Sequence, residues 1–154
     1  MSVSVLLITH GGIGSNLIKV AQDTFGQLPL NVTQLSFQKQ PHPEFLVAKA
    51  SYLVELIDTG DGVLVLTDMF GSTPSNISQA LQHRGYSVKI VAGVNVPMLF
   101  RIMNYPYLNL NALAKKAISG GKEGIFECFT EMDIAIRHEM REDNPTDQIQ
   151  NIQF

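Results

Sequence analysis

The feature that most constrains this chain is a set of short Val, Ile and Leu runs, each cut off by a turn and separated from the next by a segment of helical periodicity. Val63-Leu64-Val65-Leu66-Thr67 is the clearest, framed by Gly60-Asp61-Gly62 before it and Asp68-Met69-Phe70-Gly71 after it. Val3 to Ile8, Val32 to Phe37 and Ser87 to Ala92 have the same character. Near-continuous apolar runs of this length mark strands covered on both faces. Between them, Leu17, Ile18, Ala21 and Phe25 recur at helical spacing and stop at Gly26. From Pro43, an apolar face built on Phe45, Leu46, Ala50, Val54 and Ile57 extends to about Asp58. Pro74 suits the first turn of a helix whose inner face is Ile77, Ala80 and Leu81. Strands alternating with helices define an α/β fold with right-handed crossovers. The expected architecture is an open, mainly parallel sheet in the order 2-1-3-4, with helices on both faces.

Local signals place the remaining boundaries. Ser15 is placed to cap the first helix and Thr73 the third. A short helix is expected from Met98 to Met103, and another, capped by Asn111, through Ile118 to a stop at Gly120-Gly121. Gly124 to Phe129 reads as a fifth strand, with Cys128 buried in it as a small hydrophobe. Beyond it the chain turns polar, with a breaker at Asn144-Pro145-Thr146-Asp147. The expected division is therefore a folded domain over residues 1–128 and a polar helix or tail over 129–154.

Bulk properties exclude several functions. With 154 residues, 45% hydrophobic and 16% charged, the chain suits one domain with a real core. A net charge of -3 leaves no basic stripe for nucleic acid. A single cysteine allows no internal disulfide and fits a reducing compartment. The N-terminal apolar run has no preceding Lys or Arg and meets Thr9-His10-Gly11-Gly12 too soon for a signal peptide, so a cytoplasmic protein is expected. His42, His83 and His138 show no metal-ligand spacing. Neither a metal nor a cofactor is expected.

In open parallel sheets, ligands sit beyond the C-terminal strand ends where the strand order reverses. Here the loops meeting at that point begin at His10 and Asp68. A neutral imidazole is a competent nucleophile, and its second nitrogen can donate to a carboxylate that fixes the tautomer and stabilises developing positive charge. Gly11, Gly12 and Gly14 let the backbone approach a ligand. Gly71, Ser72 and Thr73 lead into a helix N-terminus, where free N–H groups and the dipole favour phosphate. Neither loop carries Lys or Arg, so the anion is held by neutral donors. A histidine or aspartate at a strand end is common taken singly; the combination is what points to phosphoryl transfer. There is no Gly-x-x-x-x-Gly-Lys-[Ser/Thr] and no Gly-x-Gly-x-x-Gly, which leaves a nucleotide-binding α/β domain as the weaker alternative.

Three motifs carry a resemblance: Thr9-His10-Gly11, Asp68-Met69-Phe70-Gly71-Ser72-Thr73-Pro74-Ser75-Asn76, and Val91-Ala92-Gly93-Val94-Asn95-Val96-Pro97-Met98-Leu99. Over about residues 1–128 the chain resembles the EIIA component of the mannose-type sugar phosphotransferase system. The resemblance implies that His10 accepts a phosphoryl group from phospho-HPr and passes it to an EIIB protein, with Asp68 orienting His10. Thr73 stands where the family usually has Ser, and Ser72 where a second Gly is common. Gly11, Gly12 and the Gly93-Val94-Asn95 loop would line the site. The resemblance also implies a homodimer in which a C-terminal strand, here Gly124 to Cys128, crosses to the partner's sheet. The chain stops after its polar tail, so the expected EIIB acceptor is a separate protein, and any membrane contact is indirect, through a transporter complex. The rival roles are a phosphorylation-state regulator in a relay without a transporter, and a dihydroxyacetone-kinase phosphocarrier.

Overall fold

The computed structural model describes residues 2–37 and 42–128. Among the described residues four strands alternate with helices, and two helices follow the fourth strand in succession. β1 is Ser4–His10, α1 Ile13–Phe25, β2 Val32–Phe37, α2 Pro43–Ile57, β3 Val63–Thr67, α3 Thr73–His83, β4 Val88–Ala92, α4 Val96–Met103 and α5 Leu110–Glu123. The strands form one parallel sheet in the order β2-β1-β3-β4, as the sequence pattern requires.

β1 up to Thr9 and β3 are buried on both faces because each face has its own core, whereas β2 and β4 at the sheet edges expose Ser36 and Lys89, contrary to the sequence expectation of burial on both faces. On one face Val5, Leu7, Leu64 and Leu66 pack with Ala21 of α1, Leu99 and Ile102 of α4, and Leu113 of α5. On the other, Leu6, Ile8, Val63 and Val65 pack with Leu46 and Val54 of α2 and with Ile77 and Leu81 of α3. β1 and β3 are the inner strands, in direct register at Ile8 and Thr67. The residues that follow these two, His10 after Thr9 and Asp68 after Thr67, emerge side by side at the reversal point of the sheet.

Several boundaries differ from the sequence expectation. α1 begins at Ile13, so Ser15 lies inside it; its hydroxyl donates to the Gly12 carbonyl at 2.9 Å instead of capping. The cap of α3 is Ser72, with Thr73 the first helical residue. α4 starts two residues early, at Val96, capped by Asn95. α5 is capped by Asn109 rather than Asn111 and runs through Gly120-Gly121 to Glu123. Those two glycines do not stop the helix; they let α5 lie against α4. A Cβ on Gly120 would collide with the Arg101 side chain, and one on Gly121 would come within 2.8 Å of Met98 Cε. Close helix–helix approach outweighs the modest cost of glycine inside a helix.

The compact unit ends at Gly124, the C-cap of α5. Residues 125–128 carry no strand, and Cys128 is exposed rather than buried. Cys128 lies past α5, outside the compact unit that ends at Gly124. The expected tail over 129–154, with His138, lies outside the described residues. No helix among the described residues is long and apolar enough to cross a membrane.

Candidate functional site

β1 ends at His10 and β3 is followed by Asp68, and the two side chains meet there. His10 Nδ1 lies 2.8 Å from Asp68 Oδ2, and the His10 backbone N–H donates to the same oxygen at 2.9 Å. Asp68 Oδ1 accepts the Met69 N–H at 3.0 Å. Burial pushes the Asp68 carboxyl up, but the hydrogen bonds from the His10 amide and ring, with the charge of that ring, outweigh it and hold Asp68 below its ordinary value. An ionised carboxylate only accepts, so the ring proton sits on Nδ1. The Nε2 lone pair is then left without a partner among the described residues. The His10 side chain is 47% exposed while that of Asp68 is 12% exposed, so the ring is open to solvent and the carboxylate beside it is largely shielded.

The glycines occupy the positions that the turns demand. Gly11 has φ +46° and Gly71 φ +78°, conformations that favour glycine in the two loops. Among the described residues, the amides of Gly11, Gly12 and Ile13 on one side, and of Phe70, Gly71 and Thr73 on the other, donate to no acceptor. These unspent donors at two helix N-termini are what an anion needs. Pro74 adds no donor. The Gly93-Val94-Asn95 loop braces the site from behind: the Gly93 and Val94 amides donate to the Thr67 carbonyl at 2.9 and 3.1 Å, fixing the residue that precedes Asp68.

The structure separates two hydroxyls that the sequence treats alike. Ser72 is buried; its Oγ donates to the Met69 carbonyl at 2.6 Å and receives the Ser75 N–H at 3.5 Å. Its proton is committed inside the turn. Thr73 is half-buried, and its hydroxyl has no partner among the described residues. Two further features were not singled out from sequence. Met69 and Phe70 stand 60% and 79% exposed beside the pair. Their signal was two large apolar residues inside a turn between Asp68 and Gly71, where no core can receive them. Thr9, fully buried next to His10, is the other. Among the described residues there is no cluster of three or more His, Cys, Asp or Glu side chains to hold a metal.

An exposed imidazole hydrogen-bonded to a largely shielded carboxylate, at the C-terminal end of a parallel sheet, defines an α/β domain with a histidine–carboxylate pair between its two inner strands. The chain belongs to the mannose-type EIIA family of the phosphotransferase system: the family described as "PTS system fructose IIA component" matches residues 4–117. It is 29% identical over 129 residues to the "PTS system mannose-specific EIIAB component" of Escherichia coli, covering 81% of this chain and 39% of that protein. The chain thus spans about two fifths of the length of that relative. It is 26% identical over 102 residues to the "PTS system sorbose-specific EIIA component" of Lacticaseibacillus casei, covering 65% and 71% of the two chains. Its fold matches the solved "Mannose/sorbose specific IIA subunit of phosphotransferase system from Enterococcus faecalis" with a TM-score of 0.72 and 21% identity, over 84% and 97% of the two chains. Family membership supports a phosphocarrier role in a sugar phosphotransferase system.

Proposed function

We propose that this protein is a histidine phosphocarrier that takes a phosphoryl group from phospho-HPr on His10 Nε2 and hands it to an EIIB protein. The observation that carries this reading is the His10–Asp68 pair, with Nδ1 engaged at 2.8 Å and Nε2 free. In the forward step, Nε2 attacks phosphorus; the N–P bond forms as the donor's bond to phosphorus breaks, its electron pair leaving with the donor. The ring keeps its Nδ1 proton and becomes cationic, and ionised Asp68 stabilises that charge. The amides of Gly11, Gly12, Gly71 and Thr73, with the Thr73 hydroxyl, receive the phosphoryl oxygens. The reverse chemistry delivers the group to the acceptor.

Two copies are expected to act together, with residues 124–128 of each adding to the β4 edge of the other sheet. Ile125 and Phe126, 75% and 64% exposed in the single chain, are the side chains such pairing would cover.

Incubation with Enzyme I, HPr and phosphoenolpyruvate, followed by intact mass, tests the assignment. The expected result is an acid-labile gain of one phosphoryl group, absent in His10→Ala. No gain in the native protein, or a gain retained in that variant, overturns it.

A further inference from the structure

α1 starts without the side chain that normally closes a helix start. Its N-cap is Gly12, which has none to offer. The second amide of the helix, that of Gly14, is nevertheless satisfied: it donates to Thr9 Oγ1 at 2.9 Å. A hydroxyl from the strand, three residues upstream of the formal cap, therefore does the capping residue's work. This buried bond closes the segment from Thr9 to Gly14 into a ring of which His10 is a member. Thr9 itself is 0% exposed. The approach depends on residue 14 being glycine: a Cβ there would sit 2.9 Å from Thr9 Oγ1 and 3.0 Å from Gln34 Oε1.

This arrangement has two effects on the site. It fixes the chain on the far side of His10, while Asp68 fixes the His10 amide and ring on the near side. It also takes up the Gly14 amide within the protein and leaves the amides of Gly11, Gly12 and Ile13 unspent.

We propose that Thr9 is a positioning residue for the reaction at His10: its hydroxyl caps α1 remotely and thereby holds the imidazole against Asp68. The inference rests on His10 being the phosphoryl acceptor, and one of its readouts is independent of transfer. The full chain, Thr9→Val, Thr9→Ser and Gly14→Ala are compared by initial rate of phosphoryl uptake from phospho-HPr and by the ¹⁵N signature of the His10 ring. Valine keeps the shape and removes the acceptor; serine keeps the acceptor. In Thr9→Val, transfer is expected to be about tenfold slower, the effect of one lost hydrogen bond, and the ring to lose its Nδ1–H signature. Thr9→Ser is expected to keep the signature and to stay within about twofold of the native rate. Gly14→Ala, which breaks the same bond from the other end, should behave as Thr9→Val does and replaces it if that variant does not fold. Should the native protein accept no phosphoryl group, the proposed function fails, and the ring signature alone decides the role of Thr9. Loss of the signature in the valine or alanine variant with retention in serine upholds the proposal; any other pattern overturns it.

Discussion

The two loops that meet over the sheet are built on opposite plans. Between β1 and α1 only Gly11 and Gly12 intervene, and the helix start is tied back into the strand by Thr9. Between β3 and α3 there are five residues, Asp68 to Ser72, and that turn is self-contained, with Ser72 both donating to Met69 and capping its own helix. The first loop is short, glycine-lined and follows directly on His10. The second is broader and pushes Met69 and Phe70 into solvent. Reactivity needs a side chain whose position is dictated from several directions, which a short loop anchored at both ends provides. Partner recognition needs exposed apolar area, which a longer turn can project without disturbing the core.

The sharpest way to break this comparison is to remove the charge from the bond that joins the loops. Asp68→Asn keeps the size of the side chain and an oxygen that can accept from the His10 amide and ring, but removes the negative charge that would stabilise a cationic ring. Phosphoryl uptake is expected to fall roughly 10²-fold or more, measured as initial rate, with the sheet intact by circular dichroism. A rate within a few-fold of native would mean that transfer does not depend on the charge of Asp68. The next test concerns the apolar turn. Phe70→Ala is expected to raise the KM for phospho-HPr about tenfold while leaving kcat close to native, since a truncated aromatic at an interface forfeits burial and not chemistry. A fall in kcat at unchanged KM would show that Phe70 shapes the reactive loop instead.

What could be read in advance follows the same division between local and long-range causes. The inner strands were legible because Val63 to Thr67 and Ser4 to Thr9 are buried on both faces, and a run of apolar residues states that directly, whereas the edge strands β2 and β4 are covered only in part. Pro43 and Pro74 marked helix starts because proline needs no context to fix φ. His10 and Asp68 were found because strand ends in a parallel sheet converge. The failures involve side-chain partners that a residue-by-residue pattern does not name, some across the fold and some only a few residues away. Ser15 looked like a cap because nothing local reveals that Thr9 reaches Gly14. Gly120-Gly121 looked like a stop because the rule for terminal glycine is local, whereas here Arg101 and Met98 of α4 require the missing side chains. Ser72 and Thr73 were interchangeable as hydroxyls until the turn showed that one points inward to Met69.

That last distinction gives a smaller test within the second loop. Ser72→Ala removes a helix cap and is expected to cost about 1 kcal/mol of stability, read as a lower unfolding midpoint, with transfer within about twofold of native. Thr73→Ala should do the reverse: stability within about 0.5 kcal/mol of native and transfer slowed about tenfold through loss of a donor to the phosphoryl group. If the two variants exchange these phenotypes, the hydroxyl that serves the anion is that of Ser72, and the turn must open during the reaction.

The smallest expected effect is on the pH dependence of stability. Asp68 is held below its ordinary value in the folded protein, because the His10 hydrogen bonds outweigh the upward push of burial. The unfolded chain therefore binds a proton at Asp68 before the folded one does. The contribution of this carboxylate is complete above the ordinary aspartate value and declines as pH falls through the lowered folded value. Thermal midpoints followed from neutral pH down through the carboxylate range should fall more steeply for the native protein than for Asp68→Asn, whose side chain does not titrate. Equal slopes would mean that the bonds from the His10 amide and ring add no net preference for the ionised form. The assignment of the ring proton to Nδ1, which depends on an acceptor-only carboxylate, would then lose its electrostatic support.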